Sequence, residues 1–163
     1  MRREIKKKEG AAVIKKVLVP TDGSECSLHA VAQAAKLMHL NPGLEVTIFT
    51  VHNVPKGMAR RKLFFVSTGR DKDASKIDDV YAEERQQVFK AALDILEAEG
   101  FTAKTDFSKG NPAEEICDYA REHGFDLIIL GPRGISGIQG LFIGSVSSKV
   151  LALAPCPVLL AKC

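Results

Sequence analysis

The chain has no apolar run that approaches the roughly 20 residues needed to cross a bilayer, and its first residues lack the apolar core of a signal peptide. We therefore expect a cytoplasmic protein without a membrane partner. The net charge of +3 is small and scattered, which argues against a nucleic-acid partner. At 163 residues, the chain is most simply one domain that buries its core without help from a metal or a disulfide.

The cysteines and histidines have no spacing typical of a metal site. The four cysteines contain no C-x-x-C pair, and the four histidines form no ligand-spaced pair with a carboxylate between them. The sequence therefore predicts neither a zinc site nor a redox motif. We expect all the cysteines to be reduced thiols, namely Cys26, Cys117, Cys156 and Cys163.

Several motifs of nucleotide enzymes are also missing. No G-x-x-x-x-G-K-[ST] occurs, which argues against a P-loop NTPase, and no G-x-G-x-x-G follows the first predicted strand. Neither an H-I-G-H-like pair nor S-G-G-x-D-S is present. These absences argue against dinucleotide binding of the usual kind, nucleotidyl transfer and ATP pyrophosphatase chemistry.

What is present is an alternation of strand and helix patterns. Short apolar or β-branched runs predict strands at 14–20, 46–51, 126–130 and 157–161, and a weak alternation predicts an edge strand at 101–107. Apolar residues at helical spacing predict helices over 24–40, across 77–95, from 111 onward and over 146–153. In the second helix, the predicted face is Ile77, Tyr81, Glu84, Val88, Ala91 and Ile95, and Glu84 is its one residue that is not apolar. The order predicts an α/β fold with an open, doubly wound, five-stranded parallel sheet and helices on both faces.

Local signals mark where some helices begin and end. Asn111 and Pro112 are typical of an N-cap and a first helical turn, and Glu114 completes a capping-box arrangement. Gly100 stands where a glycine commonly ends a helix. These residues predict the end of the second helix and the start of the third.

A glycine-punctuated loop follows the fourth predicted strand. It reads Gly131-Pro132-Arg133-Gly134 and, after nine further residues, Gly144-Ser145. Glycine lets the backbone pass close to a ligand, and the first amides of a helix starting at Ser145 carry partial positive charge. The loop therefore predicts a phosphate site. Ligands of doubly wound sheets bind at the carboxyl ends of strands beside the switch point, where both Asp22 and Gly131 are predicted.

These motifs resemble those of universal stress proteins, and more narrowly those of the ATP-binding branch of that family. The resemblance rests on V-L-V-P-T-D-G-S at 17–24, G-P-R-G at 131–134 and G-S-V-S-S-K-V-L-A-L-A-P-C-P-V-L-L at 144–160. The family pattern G-x2-G-x9-G-[ST] is met by Gly131, Gly134, Gly144 and Ser145. The resemblance implies a Rossmann-like, adenine nucleotide alpha hydrolase-like sheet of strand order 3-2-1-4-5. Residues 14–163 would form a single domain, preceded by a flexible basic tail at 1–13.

The resemblance also implies a nucleotide site on particular residues. Pro20, Thr21 and Asp22 correspond to the turn after the first strand, with the acid at the ribose hydroxyls or near a phosphate-bound Mg²⁺. Asp22 alternatively serves only to cap the next helix. The backbone of Val51 is expected to meet the adenine edge. The phosphate contacts are expected from the main chain of Gly131, Gly134, Gly144, Ser145, Val146 and Ser147.

Four features of the predicted site each have two interpretations, and one residue departs from the family pattern. Arg133 reaches a phosphate or extends into water, and Ser145 contacts phosphate or is only an N-cap. Pro132 departs from the family pattern, which often has a serine there, and contributes no N–H donor. The basic segment 53–73 is a lid over a polyphosphate or a solvated charge run. Ser136, Gly137 and Gly140 form a mobile flap or an ordinary surface loop.

The function implied by the resemblance is that of a nucleotide-dependent regulatory dimer in stress adaptation, with ATP, ADP or AMP as the ligand. The dimer would pair through the apolar edge strand at 157–161, unless that edge is covered within a monomer. A slow metal-dependent ATPase or autophosphorylating enzyme is the first alternative, and a nucleotide-free dimeric scaffold is the second. We favour binding over catalysis because the sequence offers no acidic metal pair and no lysine beside the phosphate loop.

Overall fold

The computed structural model describes residues 14–53, 72–134 and 143–163, which form a five-stranded parallel sheet and the helices around it. The strands are β1 Lys16–Pro20, β2 Glu45–Asn53, β3 Lys104–Gly110, β4 Leu127–Leu130 and β5 Val158–Leu160. The helices in these ranges are α1 Glu25–Leu40, α2 Lys72–Ala98, α3 Pro112–Glu122 and α4 Ser145–Leu153. The order β3-β2-β1-β4-β5, parallel throughout, confirms the predicted order 3-2-1-4-5.

Both faces of the sheet are buried, which is why β4 and most of β1 are apolar. In β1, Val17 and Val19 belong to the cluster formed with α1 and α2, whereas Leu18 belongs to the cluster with α3 and α4. All three side chains are fully buried. This alternation of β1 residues between two cores fixes the sheet in the middle of the described fold.

The predicted helix ends at Gly100 and Asn111 are confirmed. Gly100 has φ +80°, and the amides of Gly100 and Phe101 bond the carbonyls of Glu97 and Leu96, which together form a Schellman motif. Asn111 is the N-cap of α3, because its side chain accepts a hydrogen bond from the amide of Glu114, and Pro112 opens the first turn. Sequence signals of this kind work because they act over only a few residues.

Two predicted details are wrong. The strand predicted at 101–107 runs instead from Lys104 to Gly110, because Phe101 is still part of the Schellman turn. The predicted face of α2 is also shifted, since Ala92 and Leu96 are fully buried while Ile95 is only half-buried. The predicted tail, most of the basic segment and the predicted flap lie outside the described residues.

The prediction that all the cysteines are reduced is wrong. Cys26, in the first turn of α1, forms a disulfide with Cys163, three residues after β5, and their Cα atoms are 5.1 Å apart. Cys117 and Cys156 are free thiols, as predicted. The pairing depends on parallel elements ending at one edge of the sheet, which cysteine spacing does not reveal. No helix in the described part of the chain is long and apolar enough to span a membrane.

Candidate functional site

A cavity of about 410 Å³ lies at the carboxyl ends of β1, β2 and β4, within the size range of small-molecule sites. The structure brings every residue predicted for the site to this cavity. Its lining includes Pro20, Thr21, Asp22, Val51, Gly131, Arg133, Gly134, Gly144, Ser145, Val146 and Ser147. Both glycine blocks and the turn after β1 therefore surround one space.

Several residues that were not predicted for the site also line the cavity. They are Ser27, Phe49, Asn53, Pro112, Ile116 and Leu130. Phe49 and Asn53 stand two residues before and after Val51 on β2, so the period of a strand puts them on the same side. That signal was present in the sequence. Ile116 and Pro112 come from α3, and their approach depends on helix packing across the sheet.

β2 extends past the end of β1, and this exposes backbone groups to the cavity. The pairing of β1 with β2 ends at Pro20 and Phe49. Beyond that pair, the Thr21 amide donates a hydrogen bond to the Phe49 carbonyl at 2.8 Å. Because peptide groups alternate along a strand, the N–H and C=O of Val51 point to the same side as those of Phe49. They are therefore directed toward the space beyond β1, where the cavity lies.

The Asp22 carboxylate is held in place at the cavity wall. Its Oδ1 accepts hydrogen bonds from the Ser24 amide at 3.1 Å and the Ser24 hydroxyl at 2.6 Å. The N-cap of α1 is Ser24, whose hydroxyl oxygen accepts from the Ser27 amide. The alternative that Asp22 itself caps the helix is therefore wrong. Its Oδ2 instead lies against Gly134, close enough that a Cβ on Gly134 would overlap it.

A chain of hydroxyl groups fixes the turn behind Asp22. Ser27 donates to the Ser24 carbonyl at 2.9 Å, so its single proton is used and the Thr21 hydroxyl must donate to Ser27 Oγ, 2.9 Å away. Thr21 Oγ1 in turn accepts from the amide of Gly23. Thr21 and Ser27 are both buried. This satisfied network orders the backbone that carries Asp22.

The two glycine blocks are joined directly. The Gly144 amide donates to the Pro132 carbonyl at 2.7 Å, and the Ser147 hydroxyl donates to the Gly131 carbonyl at 2.8 Å. The N-cap of α4 is Gly144, so the alternative that Ser145 is the N-cap is wrong. No side chain caps α4. Its first turn lines the cavity, where the positive end of the helix dipole attracts an anion.

Gly131 has a packing role that its motif does not indicate. A Cβ at this position would lie 2.6 Å from the Cys26 carbonyl oxygen and 2.9 Å from the Ser27 amide nitrogen. The end of β4 therefore contacts the first turn of α1 backbone to backbone. Only glycine fits without moving one of these elements.

The described lining is sparsely charged. Asp22 and Arg133 are its only charged residues, and Arg133 is exposed with no ion-pair partner among the residues described. No group of three or more His, Cys, Asp or Glu side chains in the described ranges is arranged to hold a metal. Apart from Asn53 at the end of β2, the remaining lining is apolar toward β2 and α3, and it is mainly backbone and hydroxyl groups toward the glycine blocks. The cavity thus has a mainly apolar end and an end lined by glycines, hydroxyl groups and the first turn of α4.

The fold and cavity define the class of doubly wound α/β proteins with a ligand cleft at the switch point of the sheet. The model of the universal stress protein family matches residues 14–162, so the chain belongs to that family. Universal stress protein YxiE of Bacillus subtilis is 34% identical over 155 residues, covering 90% of this chain and 98% of its own. Universal stress protein MJ0531 of Methanocaldococcus jannaschii is 30% identical, and the match covers 95% of this chain and 86% of that protein. A universal stress protein solved in complex with cAMP is 26% identical, with a TM-score of 0.61 and coverage of 90% and 95%.

Proposed function

We propose that the cavity binds an adenine nucleotide, with the base at the β2 end and the phosphates at the α4 end. The observation that carries this proposal is the pair of Val51 backbone groups directed into the cavity past the end of β1. The carbonyl accepts from the amino group of adenine, and the N–H donates to the neighbouring ring nitrogen. Guanine presents the opposite polarity at both atoms, so it leaves these groups unsatisfied. The complex of a related protein with cAMP supports the same ligand class.

The phosphates would lie between the glycine blocks and the first turn of α4. Gly134, Ser145 and Val146 offer main-chain amides there, and Arg133 supplies a positive charge at the exposed side. The Ser147 hydroxyl is not available for this purpose, because it donates to the Gly131 carbonyl. We assign the ribose hydroxyls to Asp22, whose carboxylate is already oriented by Ser24.

A magnesium ion fits the donor set if ATP is the nucleotide. Mg²⁺ is commonly held by one or two carboxylates together with phosphate oxygens and waters, and Asp22 is the one carboxylate in the described lining. In that case Asp22 would hold the ion as the alternative to the ribose hydroxyls, and the ion would neutralise phosphate charge. No second carboxylate or histidine in that lining is placed to activate a water, so we propose a binding protein rather than an efficient ATPase.

The binding proposal is tested by recovering and then restoring the ligand. Denaturing the purified protein and resolving the supernatant by nucleotide chromatography should release ATP, ADP or AMP. Protein stripped of nucleotide should be stabilised by ATP and not by GTP, by about 2.7 kcal/mol at 100 times the Kd. Equal effects of ATP and GTP, or none from either, would reject the assigned site. Phosphate release faster than about 1 per second would identify an enzyme instead.

We further propose that the protein acts as a regulatory homodimer paired through β5. β5 is the last strand of the sheet. The Ala161 amide bonds the Leu130 carbonyl of β4, and peptide groups alternate in direction along a strand. The peptide groups of Val158 and Leu160 therefore point away from β4. Leu159 is 37% exposed on the same strand. An apolar edge to which no strand of the described ranges is paired favours strand addition by a second copy. Nucleotide occupancy beside β4 would then influence partner recognition by the dimer.

Replacing Leu159 with lysine should shift the protein toward monomer in analytical ultracentrifugation. A lysine at the pairing edge carries a charge that the second copy would have to bury. The matched control is Leu40→Lys, because Leu40 is 83% exposed at the end of α1, away from β5. Equal sedimentation of both variants and the unmodified protein would contradict pairing through β5.

A further inference from the structure

We propose that the Cys26–Cys163 disulfide is a redox clasp that sets the nucleotide affinity of the cavity. The oxidised protein binds tightly, and the reduced protein binds more weakly. This inference rests on the proposed nucleotide function and adds its regulation by thiol chemistry.

The disulfide joins the two elements that hold the end of β4. On one side, the first turn of α1 carries Cys26, whose backbone packs against Gly131. On the other side, the Ala161 amide bonds the Leu130 carbonyl, and Cys163 follows two residues later. Because the disulfide links these two flanks, the backbone from Leu130 to Gly131 is held between covalently connected neighbours.

The clasp is close to the proposed ligand contacts. Ser27 follows Cys26 directly, lines the cavity and bonds the Thr21 hydroxyl, which orders the turn carrying Asp22. Gly131 lines the cavity as well, and its carbonyl holds Ser147 in the first turn of α4. Motion of the α1 turn relative to β4 therefore moves both the ribose-binding and the phosphate-binding parts of the cavity.

The disulfide is accessible to redox partners. Cys163 is exposed and Cys26 is half-buried, whereas a purely structural disulfide is commonly enclosed. The sequence predicts a cytoplasmic protein, and disulfides of cytosolic proteins are usually transient and redox-sensing. Cys117 is buried in the core and burial raises the pKa of its thiol, as it does for Cys156, so these two thiols are poor competitors for exchange.

The chemistry is thiol–disulfide exchange with a small-molecule disulfide such as oxidised glutathione. The thiolate of one cysteine attacks the small disulfide, forms a mixed disulfide and releases one small thiol. The thiolate of the other cysteine then displaces the second small thiol and closes the Cys26–Cys163 bond. Overall the protein loses two electrons and two protons, and the small disulfide gains them as two thiols. A dithiol reductant reverses both steps.

Once the bond opens, the protein keeps its hydrogen-bonded core but the flanks of β4 are no longer tied to each other. The nucleotide-binding arrangement is then one of several that the α1 turn adopts, and the apparent Kd equals the intrinsic Kd divided by the fraction of molecules that remain competent. A coupling of this kind typically changes affinity on the order of tenfold.

The test uses titration calorimetry with ATP and Mg²⁺ on protein carrying Cys117→Ala and Cys156→Ala, so that only the Cys26–Cys163 pair responds. The Kd is measured after treatment with oxidised glutathione and after reduction with dithiothreitol, and mass spectrometry verifies each state. Reduction should raise the Kd on the order of tenfold and re-oxidation should restore it. When Cys26→Ser and Cys163→Ser are added, the protein should have the Kd of the dithiothreitol-treated protein under both treatments. The same pair of measurements on the unsubstituted protein provides a second test if the alanine background folds poorly.

Distinct outcomes separate this inference from the proposed function. Binding with the same Kd within about twofold in both states would overturn the clasp and leave the nucleotide site standing. A response to reductant that persists after both serine substitutions would also overturn it. Loss of the far-ultraviolet circular dichroism signal on reduction would show that the bond is structural rather than regulatory. Absence of nucleotide binding in both states would instead reject the proposed function.

Discussion

Replacing Gly131 with alanine should lower the midpoint of thermal unfolding by about 6–12 °C, which corresponds to about 3 kcal/mol for a chain of this size. The added Cβ would lie 2.6 Å from the Cys26 carbonyl oxygen and 2.7 Å from its carbonyl carbon. These are backbone atoms, so no side-chain rotation relieves the overlap. Either the first turn of α1 or the end of β4 must move. Calorimetry of the nucleotide-free protein measures the shift.

The matched control is Gly43→Ala, in the turn before β2. A Cβ at Gly43 would find its nearest neighbour, Asn41 Oδ1, at 3.6 Å, which is ordinary contact. We expect this variant to unfold within about 0.5 kcal/mol of the unmodified protein. If Gly131→Ala unfolds at the same temperature as the control, then β4 and α1 do not pack backbone to backbone.

Gly131 also illustrates what the sequence could predict about the site. The glycine pattern and the position after a strand indicated a residue at the cavity, and Gly131 does line it. Its contact with Cys26 was not predictable, because the distance between α1 and β4 depends on packing of both elements across the sheet. A single glycine therefore has a local signature and a tertiary role, and only the first is visible in the sequence.

The same distinction between local signals and tertiary contacts explains which parts of the fold could be predicted. The alternation of strands and helices, the Gly100 turn and the Asn111 cap follow from local patterns, whereas the strand order was implied by the family resemblance, and all of them are confirmed. The shifted face of α2 was not predictable in the same way. Several of its residues are apolar enough for two adjacent faces, and Ala92 and Leu96 are buried because of how the helix packs beside α1.

Hydrogen-bond partners of the site residues were also hidden. Ser147 and Asp22 are both at the cavity, as predicted, but the Ser147 hydroxyl donates to Gly131 and the Asp22 carboxylate accepts from Ser24. Sequence motifs identify which residues approach a ligand site. Which atoms remain available for the ligand depends on angstrom-scale geometry that a motif does not encode.

Replacing Gly134 with valine should raise the Kd for ATP by about 10- to 100-fold. This is the cost of losing one hydrogen bond to a charged group, here the proposed bond between the nucleotide and the Asp22 carboxylate. The first atom of the new side chain would overlap Asp22 Oδ2. Since that oxygen is the end of a side chain, the carboxylate is displaced against its hydrogen bonds to Ser24 while the backbone stays, and the unfolding midpoint of the nucleotide-free protein should fall less than in Gly131→Ala. Calorimetric titration and a melting curve measure the two quantities.

The control for this change is Gly43→Val, which adds the same atoms just before β2. This position is at the amino ends of the strands, whereas the cavity is at their carboxyl ends. It should leave the Kd for ATP unchanged within about twofold. Equal affinities of the Gly134→Val and Gly43→Val variants would contradict the placement of nucleotide beside Gly134.

A double-mutant cycle then identifies how Gly134 acts. Gly134→Ala adds only the Cβ, so its cost should come from displacing Asp22. In an Asp22→Ala background that obstacle is gone, and the further loss of ATP affinity on adding Gly134→Ala should be small. In an Asp22→Asn background the shape of the side chain is retained, so the loss should persist. Equal losses in all three backgrounds would mean that the Cβ hinders the phosphates directly, because the two residues would then act independently.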